Sequence, residues 1–220
     1  IDKVYYGKNN FSTVTQHVSW LLTPITLDQQ VPDAGYVPAG TIAIAVIDER
    51  QRVKDGKPPT FIGKAYGPFD IPVSWHVKHI INTEEDDKGK MLSEVLQSRI
   101  VYGLNLDGWD TIPYTSSTSP NVTNSKQQLL DSGADTLVTL VLNEWYFSIN
   151  LNWVTAFNFD TDADIYVQSS DEETPFVNNV AERDVIDEEA NDSPQNKILA
   201  AYRDQLIDIF DDSDIRAAIE

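Results

Sequence analysis

Cysteine is absent from this 220-residue chain, methionine occurs once, and basic residues are scarce: 16 Lys and Arg against 35 Asp and Glu. Without a thiol there is no disulfide framework and no thiolate nucleophile or metal ligand. No run of about 18 apolar residues occurs, so no segment reads as a membrane-spanning helix. The chain has no G-x-G-x-x-G after a strand, no phosphate-binding P-loop and no G-x-S-x-G nucleophile elbow. The deficit of positive charge leaves a net −19. A field of that sign repels phosphate backbones, so nucleic-acid binding is not expected, and it disfavours adsorption to anionic lipid. No signal peptide is visible, and the chain opens on Ile1 rather than Met, as a trimmed or mature form would.

What is present is a core-forming pattern. With 41% hydrophobic residues and five Trp the chain can bury a sizeable core. Residues 134–168 organise it. They read A-D-T-L-V-T-L-V-L-N-E-W-Y-F-S-I, a short polar break, then W-V-T-A-F-N-F-D-T-D-A-D-I-Y-V-Q, which predicts a long antiparallel hairpin. The first strand is apolar on both faces: Val138, Leu140 and Leu142 on one, Leu137, Val141, Trp145 and Phe147 on the other, as in a central strand. The second alternates. Trp153, Phe157, Phe159, Ala163, Ile165 and Val167 share one face, while Asn158, Asp160, Asp162, Asp164 and Gln168 share the other.

Residues 1–40 read as an irregular N-terminal leader with one short strand over 14–22, and 41–220 as a single α/β domain. Strands are predicted at 41–47, 61–66, 109–114 and 176–186, with an extended segment at 71–81 interrupted by Pro72. Residues 50–59 read as a charged loop. Met91, Leu92, Val95, Leu96 and Ile100 form a helical stripe, with Asp86 or Asp87 as its N-cap and Gly103 as its stop. A short helix is predicted over 125–132, ending at Gly133. Ser193-Pro194 opens a long helix whose apolar face is Ile198, Tyr202, Leu206, Ile209 and Phe210. Asp211 to Asp214 break it before a last helical turn. The expected class is α/β (α+β): a mixed β-sheet with helices packed on it.

The most conspicuous polar feature is Asp160, Asp162 and Asp164. D-x-D-x-D opens many calcium loops, but those need Gly at the sixth position and Glu at the twelfth, where this chain has Ile165 and Asp171. The expected reading is a solvated acidic strand face, with a cation site as the alternative; no cofactor is expected. His76 and His79 stand three apart, and on a strand they point to opposite faces, so without a turn they cannot share a metal. The aromatics Trp145, Tyr146, Phe147 and Trp153 read as core or as a staple between the hairpin strands, an exposed sugar- or partner-binding rim being the alternative. Charge is uneven: residues 160–220 hold 18 acidic and 4 basic residues, a net of −14, which reads first as solubility, as in a salty habitat, with recognition of a basic partner as the alternative.

Three stretches, in order, carry a resemblance. F-I-G-K-A-Y-G-P-F-D (61–70) is similar to a "V-G-x-x-x-x-G-x-x-x" segment preceding a first helix. A-D-T-L-V-T-L-V-L-N-E-W (134–145) resembles an "A-D-x-x-L-x-x-x-L-x-x-W" strand, and D-D-S-D-I-R-A-A-I (211–219) a closing "D-P-x-V-R-x-A-L". Together they resemble a broad group of uncharacterised bacterial envelope lipoproteins of the YajG-like kind, over roughly residues 41–220. The resemblance implies a periplasmic, lipid-anchored outer-membrane protein with no known enzymatic activity, membrane-bound only through its lipid. The expected role is protein–protein contact with an envelope partner of basic surface. The alternative is a carbohydrate-binding module or hydrolase with acidic and aromatic residues in a cleft.

Overall fold

The computed structural model describes residues 26–32, 35–67, 69, 71–80, 89–150, 156–187 and 193–220. The predicted hairpin is there: β5 (Thr136–Asn150) and β6 (Ala156–Ser169) pair antiparallel from Thr136 opposite Ser169 to Asn150 opposite Ala156. β7 (Phe176–Asp187) extends the meander on the far side of β6. The other edge of β5 is shared by two strands in succession. β1 (Thr41–Asp48) runs parallel to residues 136–142, and β2 (Phe61–Tyr66) runs parallel to residues 147–150. β3 (Pro72–His76) pairs antiparallel with β2, and β4 (Asp110–Pro113) parallel with β1. The product is a mixed seven-stranded sheet with helices packed on it, the expected class.

One face of the sheet carries the main core. Here α3 (Leu92–Leu106), α5 (Pro194–Asp211) and α6 (Ser213–Ile219) bury Val95, Leu96 and Ile100, then Ile198, Leu206 and Phe210, then Ile215 against the strands. On the opposite face α4 (Ser125–Ser132) sets Leu129 on Ala43, Ala45 and Leu137. Beyond that cluster no described helix covers the face. The described part of the leader joins the core side: Val31 and Tyr36 are buried, and the Tyr36 hydroxyl donates to the Phe210 carbonyl. The strand expected over 14–22 lies outside the described residues.

The expected two-faced pattern of β5 needs correction. Leu142 pairs with Ala163 but Glu144 pairs with Asp162, so Asn143 is an extra residue, a β-bulge. An inserted residue shifts the period-2 alternation, and every side chain after it changes face. Trp145, Phe147 and Ile149 therefore join Val138, Leu140 and Leu142 in the main core rather than opposing them. β6 has no such shift on its other edge, where it pairs with β7. Its Phe157, Phe159, Ala163, Ile165 and Val167 all point into that core, as their alternation predicts; Trp153 lies outside the described residues.

The gap on the edge of β5 between β1 and β2 is filled by Arg50. Its side chain is fully buried. Nε and Nη2 donate to the Asp48 carboxylate at 2.8 and 2.7 Å, and Nη1 donates to the carbonyls of Phe61 and Trp145 at 2.8 and 3.1 Å. Those carbonyls sit where no neighbouring strand reaches, and a buried carbonyl without a donor is costly. Residues 50–59, expected as a charged loop, also contain a helical turn, α1 (Gln51–Lys54).

Three further boundaries differ from expectation. Asp86 and Asp87 lie outside the described residues, and the helix N-cap is Met91, whose backbone N–H donates to the Glu94 carboxylate at 2.7 Å. Gly103 does not stop α3, which runs on to Leu106; the left-handed residue that ends it is Gly108, φ 93°. Gly103 is needed because the Pro32 carbonyl lies where a Cβ would be. The extended segment over 71–81 ends at His76 and turns into α2 (Val77–Ile80). By contrast, Ser193-Pro194 opens α5 as read: Ser193 Oγ accepts from the Asn196 N–H at 3.1 Å.

Candidate functional site

The alternation of β6 that drives its apolar residues into the core drives Asp160, Asp162 and Asp164 onto the open face. Successive carboxylates along such a row stand about 7 Å apart, too far to converge on one point without help from neighbouring strands. The neighbours supply donors. Asn143, the bulge residue of β5, donates its amide to Asp162 at 3.3 Å and to Asp164 at 3.0 Å. From β7, Asn179 donates to Asp162 at 2.9 Å and to Asp164 at 2.8 Å. Arg183 pairs with Asp160 at 2.6 Å. Two carboxamides thus clasp two carboxylates, while the third holds a guanidinium.

Next to this row Arg52, at the end of α1, reaches over the sheet. Its Nε lies 2.9 and 3.1 Å from the Glu144 carboxylate oxygens, and its guanidinium lies 3.7 Å from the centre of the Tyr146 ring. Stacking of this kind suits a planar, delocalised cation. Burial pushes the Tyr146 phenol above its ordinary pKa, with Arg52 pulling the other way. An open groove of about 550 Å³ separates Arg52 and Glu144 from Arg183, with Asp160 and Asp162 on its floor. The face is therefore an acidic surface studded with two arginines.

The other expected sites fall elsewhere. Trp145 and Phe147 are core residues; Trp145 packs edge-on to Tyr202 and Phe147 edge-on to Trp75. His76 and His79 come together after all, because the turn into α2 replaces a continuous strand. The His76 backbone N–H donates to His79 Nδ1 at 2.9 Å, and the ring centres are 5.6 Å apart. Partial burial lowers both imidazole pKa values, aided by Lys78 and Lys57 at His76 and by His76 and Lys78 at His79. A larger concavity, about 660 Å³, opens at the far end of the sheet, lined by Asp135, Ser169, Glu172, Phe176, Ala218 and Glu220. Among the described residues no group of three His, Cys, Asp or Glu side chains is placed to hold a metal ion, and no helix is long and apolar enough to cross a membrane.

Arg52, Asn143, Glu144, Asn179 and Arg183 were not singled out from the sequence. Asn143 was detectable: it is the one polar residue in L-V-T-L-V-L-N-E-W at which the apolar alternation changes phase. The others join the row through strand pairing, which local pattern does not reveal.

No protein-family model and no curated protein sequence matches the chain. Among solved structures it is similar to protein XCC0632 from Xanthomonas campestris, of the DUF330 family, at 9% identity over 86% of this chain and 87% of that one, TM-score 0.43. It is also similar to an uncharacterized protein at 10% identity, over 83% of this chain and 94% of that one, TM-score 0.37. A third is the lipoprotein GNA1162 from Neisseria meningitidis, at 9% identity over 77% of this chain and 99% of that one, TM-score 0.32.

Proposed function

We propose that this chain is a non-enzymatic domain of the bacterial envelope, held by lipid at the periplasmic face of the outer membrane, that binds a protein partner with a basic surface. The envelope placement is supported by the three-part sequence resemblance over residues 41–220. The binding role is supported chiefly by one observation. Asp160, Asp162 and Asp164 stand in a row on the part of the sheet that no described helix covers, propped by Asn143 and Asn179. A rigid sheet presenting ordered carboxylates gives a partner a fixed electrostatic template. Contacts of this type steer association and weaken with added salt.

The test is a crosslinking pull-down from envelope extracts at low and high salt, run beside the triple variant Asp160→Asn, Asp162→Asn, Asp164→Asn. The expected result is a specific protein recovered at low salt, lost at high salt and lost with the triple variant. Equal recovery by the triple variant removes the acidic face from the reading. No specific protein at low salt, together with turnover of a sugar or ester from a substrate library, replaces the binding domain with a hydrolase.

A further inference from the structure

Among the described residues the sheet has three outer strands, and they are not alike. β3 is 5 residues long and β4 only 4. β7 is 12 residues long, pairs among the described residues only with β6, and keeps its register from Phe176 to Ile186 without a bulge. Natural proteins protect such edges with shortness, proline, charged side chains and lysine above all, bulges or a covering element. β7 has neither proline nor lysine; its charges other than the terminal Asp187 are Glu182, Arg183 and Asp184, clustered beside Ala181, and on either side of them it displays Val177 and Val185 at 50% and 60% exposure. A long, regular edge with unpaired backbone groups is a template for another strand.

The sequence of β7 indicates which strand. In V-N-N-V-A-E-R-D-V the two valines Val177 and Val185 stand at equal distances from Ala181, with Asn178 and Asp184 just inside them. In an antiparallel pair, residues directly opposite share a face. If β7 meets its own copy about a two-fold axis at Ala181, Val177 lies opposite Val185, Asn178 opposite Asp184, Asn179 opposite Arg183 and Val180 opposite Glu182. The exposed valines cover each other twice, and no two like charges stand directly opposite. The remaining polar groups also match. Asn179 spends its amide nitrogen on Asp162 and Asp164, leaving its carbonyl oxygen to accept, and Arg183 spends Nε on Asp160, leaving Nη donors free to give.

Other registers are worse. Centring the axis on Glu182 or Arg183 sets that charge against its own copy. Centring it on Val180 puts Val177 against Arg183 and Phe176 against Asp184. We infer that the partner of this edge is a second copy of the chain, joined β7 to β7 about Ala181. The dimer then carries one continuous sheet with two acidic rows on the same face. Each copy brings a net charge of −19, so salt strengthens this contact by screening repulsion, the reverse of its effect on a basic partner.

Sedimentation equilibrium across a salt series, with far-UV circular dichroism as the check on folding, reads the mass. The expected result is twice the monomer mass, favoured by salt. Val177→Lys returns the monomer, because opposed charge and lost packing fall at both ends of the strand pair. Adding Val185→Glu to it restores the dimer, since each new lysine then faces a new glutamate. The chain has no cysteine, so Ala181→Cys supplies a single thiol that a short bis-maleimide joins to its copy. Val177→Cys and Val185→Cys each stay at background alone and crosslink when mixed. A monomer at the highest soluble concentration and high salt overturns the inference. So does a dimer that Val177→Lys leaves intact, or one in which Val177→Cys alone crosslinks as well as Ala181→Cys.

Discussion

Arg50 shows how much a single side chain can hold. It is a fully buried cation with five donors, and the structure uses them on Asp48 and on the carbonyls of Phe61, Trp145 and Pro59. Arg50→Lys keeps the charge but replaces a planar fork with a compact ammonium that cannot span the same acceptors. Breaking a buried pair of this kind costs about 3–5 kcal/mol. Because Lys keeps a charge opposite Asp48, the expected loss lies below that figure and shows in urea unfolding as a lower midpoint with the slope unchanged, since the surface exposed on unfolding is the same. Sequence reading missed this residue for a plain reason. In D-E-R-Q-R-V-K-D three basic residues look alike, yet Arg50 is buried, Arg52 lies over Tyr146, and Lys54 pairs with Glu49 at 2.8 Å. Which of them goes inside depends on where β1 and β2 part along β5, and that is a tertiary fact.

Elements were legible where their own periodicity decides them. β6 is such a case: its apolar side chains could only face a core and its aspartates only leave it. α5 is another, with a cap, a proline and a 3.6-residue stripe that agree. β5 was read correctly as a central strand and incorrectly as to its faces, because the inserted Asn143 resets the alternation. Deleting Asn143 makes the strand regular again and turns Trp145, Phe147 and Ile149 toward the aspartate row. The expected outcome is an insoluble or non-cooperatively melting protein, whereas Asn143→Ser, which keeps the extra residue, melts cooperatively with a modest loss. Calorimetry of the two variants distinguishes residue count from side-chain chemistry as the cause. The candidate site was half legible for the same reason. The row of Asp160, Asp162 and Asp164 lies within one strand and shows in its alternation. Its donors Asn179 and Arg183 come from the next strand, in a register fixed by pairing.

Across the whole molecule the excess negative charge finds a seam. Glu182 and Asp184 on β7 lie near Asp208 of α5, and Asp204 and Asp211 flank the latter. Burial, then these neighbouring carboxylates, raises the pKa of Asp208; burial, then Asp208 and Asp184, raises that of Glu182. A carboxylate raised in the folded state is destabilising while ionised, and that cost disappears as pH falls through the raised value. His76 and His79 act oppositely. Their folded pKa values are lowered, so stability is lost as pH falls through the unfolded histidine value, about 6.5. Asp208→Asn separates the two effects. It should melt at a higher temperature than the parent at pH 7, with the difference closing toward pH 4, while the histidine effect is common to both. Equal melting temperatures at both pH values refute the seam. The shared edge of β5 has a temporal consequence as well. β1 and β2 belong to the first third of the chain, and the strand that joins them into one sheet begins at Thr136. A chain leaving a ribosome N-terminus first therefore carries both strands unjoined until residue 150 is out. Pairing over such separations is slow, so the edges of β1 and β2 stay open to other contacts until residues 136–150 follow them.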